Sequence, residues 1–84
     1  MRVSLESTLL ASILYDPLRR HLEVVFRSGE RYLYFQVPLH CYQQLLEADS
    51  KGAYFNHNIR NHFPFQHLSD PSQPVVLVAP FKTK

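Results

Sequence analysis

The spacing of apolar residues predicts three strands in the first half of the chain. An almost continuous apolar run at 9–15 is too short for a free-standing helix and ends at a turn-forming Asp-Pro pair, so it predicts a buried strand. Residues 21–27 alternate between apolar and polar, which is typical of a half-buried strand. Residues 31–37 follow after a short turn and predict its hairpin partner.

The turn between the second and third strands decides where the rings of Tyr32 and Tyr34 point. A two-residue loop would pair Val25 with Tyr32 and place both rings on the more polar face of the hairpin. A three-residue loop ending in Gly29, with this glycine as the left-handed residue of a bulge, pairs Val24 with Tyr32 and places both rings on the apolar face. We favour the bulge because glycine suits the third loop position, and the two-residue loop stays open.

The second half of the chain predicts two helices. Pro38 is well placed as a first helical residue, and apolar residues at helical spacing follow it over about 38–48. Ser50 can cap a second helix over about 51–62. A short apolar run at 75–78 predicts a further strand. The predicted fold is therefore α+β, with a small antiparallel sheet of three or four strands and two short helices.

Length and composition indicate one small folded domain with a weak overall charge. The chain has 84 residues, of which 45% are hydrophobic, so it can fold around a modest core. Its formal net charge of +2 predicts little nonspecific attraction to phosphates. The single cysteine, Cys41, excludes an intrachain disulfide and favours a cytoplasmic location. No run approaches the about 18 apolar residues of a membrane span, so we expect no membrane contact.

No residue pattern indicates catalysis or a metal ion. Among the five histidines, His57 and His62 lie five residues apart, which separates them by about 140° around a helix, whereas two ligands on one face need a spacing of three or four. Cys41 has only the adjacent His40 as a base near it in sequence, and that histidine lies on a different side of the same helix. A phosphate loop, a nucleophile elbow and paired carboxylates are missing from the sequence. We therefore expect no enzyme activity, no cofactor and no metal.

The order and spacing of several short motifs resemble the KTSC domain, which is named for its place at the carboxyl end of some lysyl-tRNA synthetases and also occurs alone in bacteria. The motifs are Tyr15-Asp16, Leu22-x-Val24-x-Phe26, Gly29, Tyr32-x-Tyr34, Val37-Pro38, Ser50-Lys51-Gly52 and Tyr54-Phe55-Asn56-x-x-Ile59-Arg60. The resemblance covers roughly residues 7–65, and we expect a domain at 1–65. Residues 66–84 lie outside the resemblance, and we expect them to form an extension that packs on the domain or is partly flexible. The resemblance also implies a connection to RNA, through the company of the synthetase alone.

Several residues are candidates for contact with a partner. Tyr32 and Tyr34 could stack on bases, or they could pack in the core with their hydroxyl groups at the rim. Lys51 begins a helix whose free N–H groups could receive an anion. The full set of candidates is Arg27, Arg31, Tyr32, Tyr34, Lys51, Asn56 and Arg60.

Asn56 and Arg60 are four residues apart and share one face of the second predicted helix. Asn56 could bond an unpaired backbone group at the edge of the sheet. Arg60 could meet a carboxylate, such as Asp16 or Asp49, or a phosphate. The sequence leaves these alternatives open.

Two functions of different kinds fit these residues. The first is a non-catalytic module that binds RNA or a ribonucleoprotein weakly through the candidate residues. The alternative is a protein-interaction or self-association module with no nucleic-acid role. In that case the second face of the hairpin, with Val25, Leu33 and Phe35, would contact another chain. The sequence sets no oligomeric state.

Overall fold

The computed structural model describes residues 2–68 and has an α+β fold. The elements in chain order are β1 (Arg2–Ser4), β2 (Leu10–Asp16), β3 (His21–Phe26), β4 (Arg31–Tyr34), α1 (Leu39–Glu47), α2 (Lys51–Asn58) and β5 (Phe65–Leu68). The strands form one antiparallel sheet in this same order, and the two helices lie in the connection from β4 to β5. The predicted fold class is confirmed.

The three predicted strands and both helices are present: β2 is shifted by one residue, and the other four elements are shorter than predicted. Two further strands, β1 and β5, were not predicted from the sequence pattern. β1 has only three residues, which is too few for a periodic pattern. β5 contains two polar residues and forms by pairing with β4, where Tyr34 lies opposite Phe65. The boundary predicted between 65 and 66 falls inside β5. The strand predicted at 75–78 lies outside the described residues, together with the rest of the extension after Leu68.

The β3–β4 hairpin has the bulged turn. Val24 lies opposite Tyr32, and Leu22 lies opposite Tyr34. Gly29 has a φ angle of +99°, which side chains disfavour, and its N–H donates to the carbonyl of Phe26 over 2.9 Å. The favoured geometry is therefore confirmed, and the two tyrosines lie on the side of the sheet that faces the helices.

The core lies between this face of the sheet and the two helices. The ring of Phe55, on α2, is fully buried and meets Phe26 and Tyr34 edge to face, with 5.5 Å between ring centres in both pairs. At the far end of the sheet, the hydroxyl of Tyr15 donates to the carbonyl of Val37 over 2.6 Å. This bond ties β2 to the segment that leads into α1.

Candidate binding groove

Two adjoining depressions lie where the β1–β2 loop, the β3–β4 turn and α2 meet. The first has a volume of about 310 Å³, and we call it the hairpin pocket; its lining is Thr8, Leu9, Phe26, Arg27, Ser28, Glu30, Tyr32 and Arg60. The second has a volume of about 500 Å³, and we call it the helix pocket; its lining is Glu6, Ser7, Thr8, Leu9, Asp49, Ser50, Lys51, Gly52, Ala53 and Asn56. Thr8 and Leu9 line both pockets, so the two are neighbours, and we call the pair the groove.

The groove gathers five of the seven candidate residues. Arg27, Tyr32 and Arg60 line the hairpin pocket. Lys51 and Asn56 line the helix pocket. These residues come from a strand, a helix and two turns, one of them the turn after α2 that contains Arg60, so only the tertiary fold brings them together. The remaining two candidates, Arg31 and Tyr34, lie elsewhere.

Arg60 is held against the aromatic core at the hairpin pocket. Its guanidinium carbon lies 5.4 Å from the ring centre of Phe26 and 5.5 Å from that of Phe55. Its Nη1 donates to the Oδ1 of Asn56 over 2.9 Å, so Asn56 bonds a side chain rather than a backbone group. Within residues 2–68, Arg60 forms no ion pair with a carboxylate, which includes Asp16 and Asp49. Its charge is therefore positioned by two rings and an amide, and no carboxylate of residues 2–68 neutralises it.

Arg27 fastens the β1–β2 loop to the hairpin. Its Nε donates to the carbonyl of Ser7 over 2.9 Å, and its Nη2 donates to the carbonyl of Leu5 over 2.6 Å. The loop is also shaped by the hydroxyl of Ser7, which accepts from the N–H of Leu9 over 3.1 Å. Arg27 has a structural task at the rim of the hairpin pocket, and its Nη1 donates to none of the residues that the structure describes.

The two tyrosines of the hairpin differ in exposure. Tyr34 is 3% exposed, and this burial raises the pKa of its hydroxyl to about 12, against a smaller lowering by the Arg60 guanidinium. Tyr34 is thus a core residue whose ring is closed to a ligand in this structure. Tyr32 is half-buried at the rim, where its ring packs 5.5 Å from Phe26 and 4.8 Å from His67.

The start of α2 is already occupied by bonds within the protein. The hydroxyl of Ser50 accepts from the N–H of Ala53 over 3.2 Å, and Lys51 Nζ donates to the carbonyl of Ala48 over 2.9 Å. Gly52 allows close packing here, because a Cβ added to it would come within 3.3 Å of the Leu9 Cβ. These contacts explain the Ser-Lys-Gly motif as a joint between α2 and the β1–β2 loop.

The charges of the groove are balanced overall but unevenly distributed. The hairpin pocket holds Arg27 and Arg60 against Glu30, which gives a formal charge of +1. The helix pocket holds Lys51 against Glu6 and Asp49, which gives −1. An anionic group would therefore be attracted to the hairpin pocket rather than to the helix pocket.

Arg31 lies on the opposite face of the sheet. Its Nη2 and Nε donate to the Oε2 of Glu23 over 3.0 and 3.2 Å, and Arg2 Nη2 reaches the same oxygen over 3.1 Å. Adjacent residues of a strand point to opposite faces, so Arg31 and Tyr32 cannot both face the groove. Leu33 and Phe35 share the face of Arg31 and are each 6% exposed.

Three further features of residues 2–68 concern the requirements of a reactive thiol, a metal site and a membrane span. Cys41 is half-buried, and its Sγ lies 3.7 Å from the Nε2 of His40. Within the described range 2–68, no three His, Cys, Asp or Glu side chains are grouped closely enough to hold a metal ion. None of the helices in that range is long and apolar enough to cross a membrane.

Sequence reasoning missed the contribution of the β1–β2 loop and of Glu30 to the groove. Thr8 and Leu9 come from a loop with no distinctive chemistry, and Glu30 was not among the candidate residues. Ser7 could have indicated a turn at this loop, because serine hydroxyls often accept a hydrogen bond from an N–H two residues later, as that of Leu9 does here.

Comparisons with known proteins agree with the fold and the motifs. The chain belongs to the KTSC domain family, whose sequence model matches residues 6–63. The crystal structure of a KTSC domain protein from Yersinia pestis superposes with a TM-score of 0.78 at 35% identity, over 81% of this chain and 96% of that one. An uncharacterized protein of Stutzerimonas stutzeri is 53% identical over 55 residues, which is 66% of this chain and 78% of that protein.

The family also links the chain to much larger proteins. A lysine–tRNA ligase from a Nostoc species is 38% identical over 64 residues, which is 76% of this chain. A lysine–tRNA ligase from Nostoc punctiforme is 36% identical over the same length. This chain spans only 11% of each ligase, so the likeness concerns one module of those proteins.

Proposed function

We propose that the protein is a non-catalytic module that binds RNA weakly through the groove. The observation that carries the proposal is the convergence of Arg27, Tyr32 and Arg60 on one pocket. Two guanidinium groups beside a half-exposed ring match the two forces that bind RNA strands, phosphate attraction and base stacking.

Arg60 gives the strongest support within this group. A guanidinium that lies on aromatic rings keeps its planar hydrogen-bonding edge available for phosphate oxygens. Since no carboxylate of residues 2–68 pairs with it, phosphate binding does not require an existing ion pair to break. This removes one of the usual costs of binding an anion at a protein surface.

The relatives favour RNA over other polyanions. Relatives named lysine–tRNA ligase contain this module, and we extend the association with tRNA that their name states to this chain as part of the proposal. The proposal includes a cytoplasmic location, where RNA is abundant and a single cysteine stays reduced.

The expected affinity is modest, because the net charge is +2 and the groove contains as many acidic as basic residues. If Arg27 and Arg60 neutralise two phosphates, the logarithm of the binding constant falls with the logarithm of salt concentration with a slope of about −1.4. A strongly basic RNA-binding surface would give a much steeper slope.

The test is a fluorescence-anisotropy titration of the full chain into labelled single-stranded RNA of about 12 nucleotides, repeated between about 20 and 300 mM salt. Saturable binding with a shallow negative slope supports the proposal. A lack of saturable binding at the lowest salt overturns it, and so does an affinity that is independent of salt.

The alternative, a protein-interaction module without a nucleic-acid role, has less support. Leu33 and Phe35, two of the three residues predicted for that surface, are buried, so a partner could reach them only after they were uncovered. Within residues 2–68, the remaining apolar candidates are the half-buried Val25 and the exposed Leu18 and Leu39, which are 93% and 47% exposed. Light scattering over a range of concentrations tests for self-association.

A further inference from the structure

We propose that the hairpin pocket takes a single unpaired nucleotide, with its base against Tyr32 and its phosphate at the guanidinium of Arg60. The claim that the nucleotide belongs to an RNA strand rests on the proposed function. The claim that the pocket binds a base and a phosphate is independent of it, because a free nucleoside monophosphate also carries both groups.

The dimensions of the hairpin pocket suit one nucleotide. Its volume of about 310 Å³ lies at the lower end of the range of about 300–1,000 Å³ found for small-molecule sites. Its lining combines an aromatic ring, two guanidinium groups, a carboxylate and the apolar side chain of Leu9. The ring and Leu9 can contact an apolar flat group, and the guanidinium groups can contact an anion.

Tyr32 is the surface on which a base would stack. Its ring packs against Phe26, Phe65 and His67, with ring centres 5.5, 5.7 and 4.8 Å away, so little conformational freedom is lost when a ligand binds. Both faces of a base in a duplex are already stacked on its neighbours. The pocket therefore requires a base that is unpaired and free to leave its stack.

Arg60 supplies the anion contact. Its position is set by the rings of Phe26 and Phe55 and by the side-chain amide of Asn56. The hydrogen bond to Asn56 uses the Nη1 group of Arg60. The Arg60 guanidinium also lies close enough to the Tyr34 hydroxyl to lower its pKa. A phosphate that reaches the Nε and Nη2 groups would accept hydrogen bonds on two of its oxygens. A lysine at this position would keep the charge but not this paired geometry.

The helix pocket is a poor phosphate site by comparison. The N–H groups at the start of α2 would attract an anion, but Glu6 and Asp49 lie in the same depression. The side chain of Ser50 already caps the helix, and that of Lys51 already bonds a backbone carbonyl. The structure thus shifts the expected phosphate position from the helix start to Arg60.

Two-dimensional amide NMR of the full ¹⁵N-labelled chain tests this assignment. The probes are uridine monophosphate, a single-stranded uridine oligonucleotide, a duplex RNA of equal length and inorganic phosphate. We expect the oligonucleotide, and the monophosphate at higher concentration, to shift the amide signals of Arg27, Tyr32 and Arg60 saturably. The duplex should shift them far less.

Two variants separate stacking from charge. Tyr32→Leu should weaken binding of the single strand by about 5- to 150-fold, whereas Tyr32→Phe keeps the ring and should stay close to the parent chain. Arg60→Lys should weaken binding of the monophosphate while the net charge of the protein is unchanged. The dispersion of the amide spectrum reports whether each variant is folded, and Tyr32→Phe serves as the control if Tyr32→Leu is not.

The outcomes separate this inference from the proposed function. Oligonucleotide binding with shifts confined to another surface overturns the nucleotide pocket and leaves RNA binding standing. Monophosphate binding at these amides without any binding of RNA supports the pocket and overturns the proposed function. If inorganic phosphate binds as tightly as the monophosphate, the base contact with Tyr32 is wrong. If none of the probes binds, both proposals fail.

Discussion

The guanidinium carbon of Arg60 lies 5.4 Å from the centre of the Phe26 ring, so the charged group at the mouth of the hairpin pocket rests on the hydrophobic core. A cation over an aromatic ring contributes about 0.5–1 kcal/mol at exposed positions and more when it is shielded from water. The same contact therefore positions the proposed ligand-binding group and stabilises the fold.

Replacing Arg60 by glutamine should lower the free energy of unfolding by about 0.5–1 kcal/mol, because the contact with the two rings is lost. Urea denaturation followed by circular dichroism measures this change. Arg19→Gln is the matched control, since its side chain is 73% exposed and its surface ion pair contributes little. Equal losses in the two variants would contradict a specific contribution from the rings.

Gly29→Ala should destabilise the protein by about 1–2 kcal/mol. A Cβ added at Gly29 meets no atom within 4 Å, so the whole cost comes from the φ angle of +99°. Gly29→Asn should cost less because asparagine tolerates positive φ angles better than alanine. Thermal unfolding of the two variants side by side measures the difference, and an alanine variant as stable as the parent chain would rule out the bulged turn.

Tyr15→Phe should lower the free energy of unfolding by about 1–3 kcal/mol, because the carbonyl of Val37 loses its buried partner. The stacked contact with Tyr42, at 4.6 Å between ring centres, is retained in this variant and confines the change to the hydroxyl group. Chemical denaturation provides the measurement. A change below about 0.3 kcal/mol would mean that water satisfies the carbonyl equally well.

The stability of the protein should decrease as pH rises from about 10 to about 12. The pKa of Tyr34 is raised by burial from 10.0 to about 12, so the unfolded chain loses this proton first and the folded state is favoured only while the hydroxyl stays protonated. The contribution is complete below pH 10 and is lost through pH 12. Tyr34→Phe should flatten this part of the profile, with a residual slope from Tyr15 and Tyr54, whose pKa values burial also raises.

Local rules favoured the correct pairing of the central hairpin, although they left the two-residue loop open as an alternative. Gly29 at the third loop position set the pairing of Val24 with Tyr32, and this pairing placed both tyrosines toward the helices. Because adjacent residues of a strand point to opposite faces, Arg31 then had to lie on the other face of the sheet. The separation of Arg31 from Tyr32 could therefore have been predicted.

The outer strands could not be predicted in the same way. β5 follows a proline and has polar residues at Gln66 and His67, so neither its composition nor its period indicates a strand. It forms because β4 offers an unpaired edge, which is a property of the folded sheet. The groove depends on tertiary structure for the same reason, since Leu9 and Glu30 reach Arg60 only after the loop, the hairpin and α2 have packed.

The central claim, that RNA binds in the groove at Arg60, is tested most directly by comparing the affinities of Arg60→Gln and Arg19→Gln for one single-stranded RNA at one salt concentration. Both variants lose one positive charge, but Arg19 lies at the β2–β3 turn, away from the groove. We predict that Arg60→Gln weakens binding by at least about fivefold and reduces the salt slope by about 0.7, and that Arg19→Gln stays within about twofold of the parent chain. Equal losses in the two variants would mean that RNA responds only to net charge and would contradict a site at Arg60.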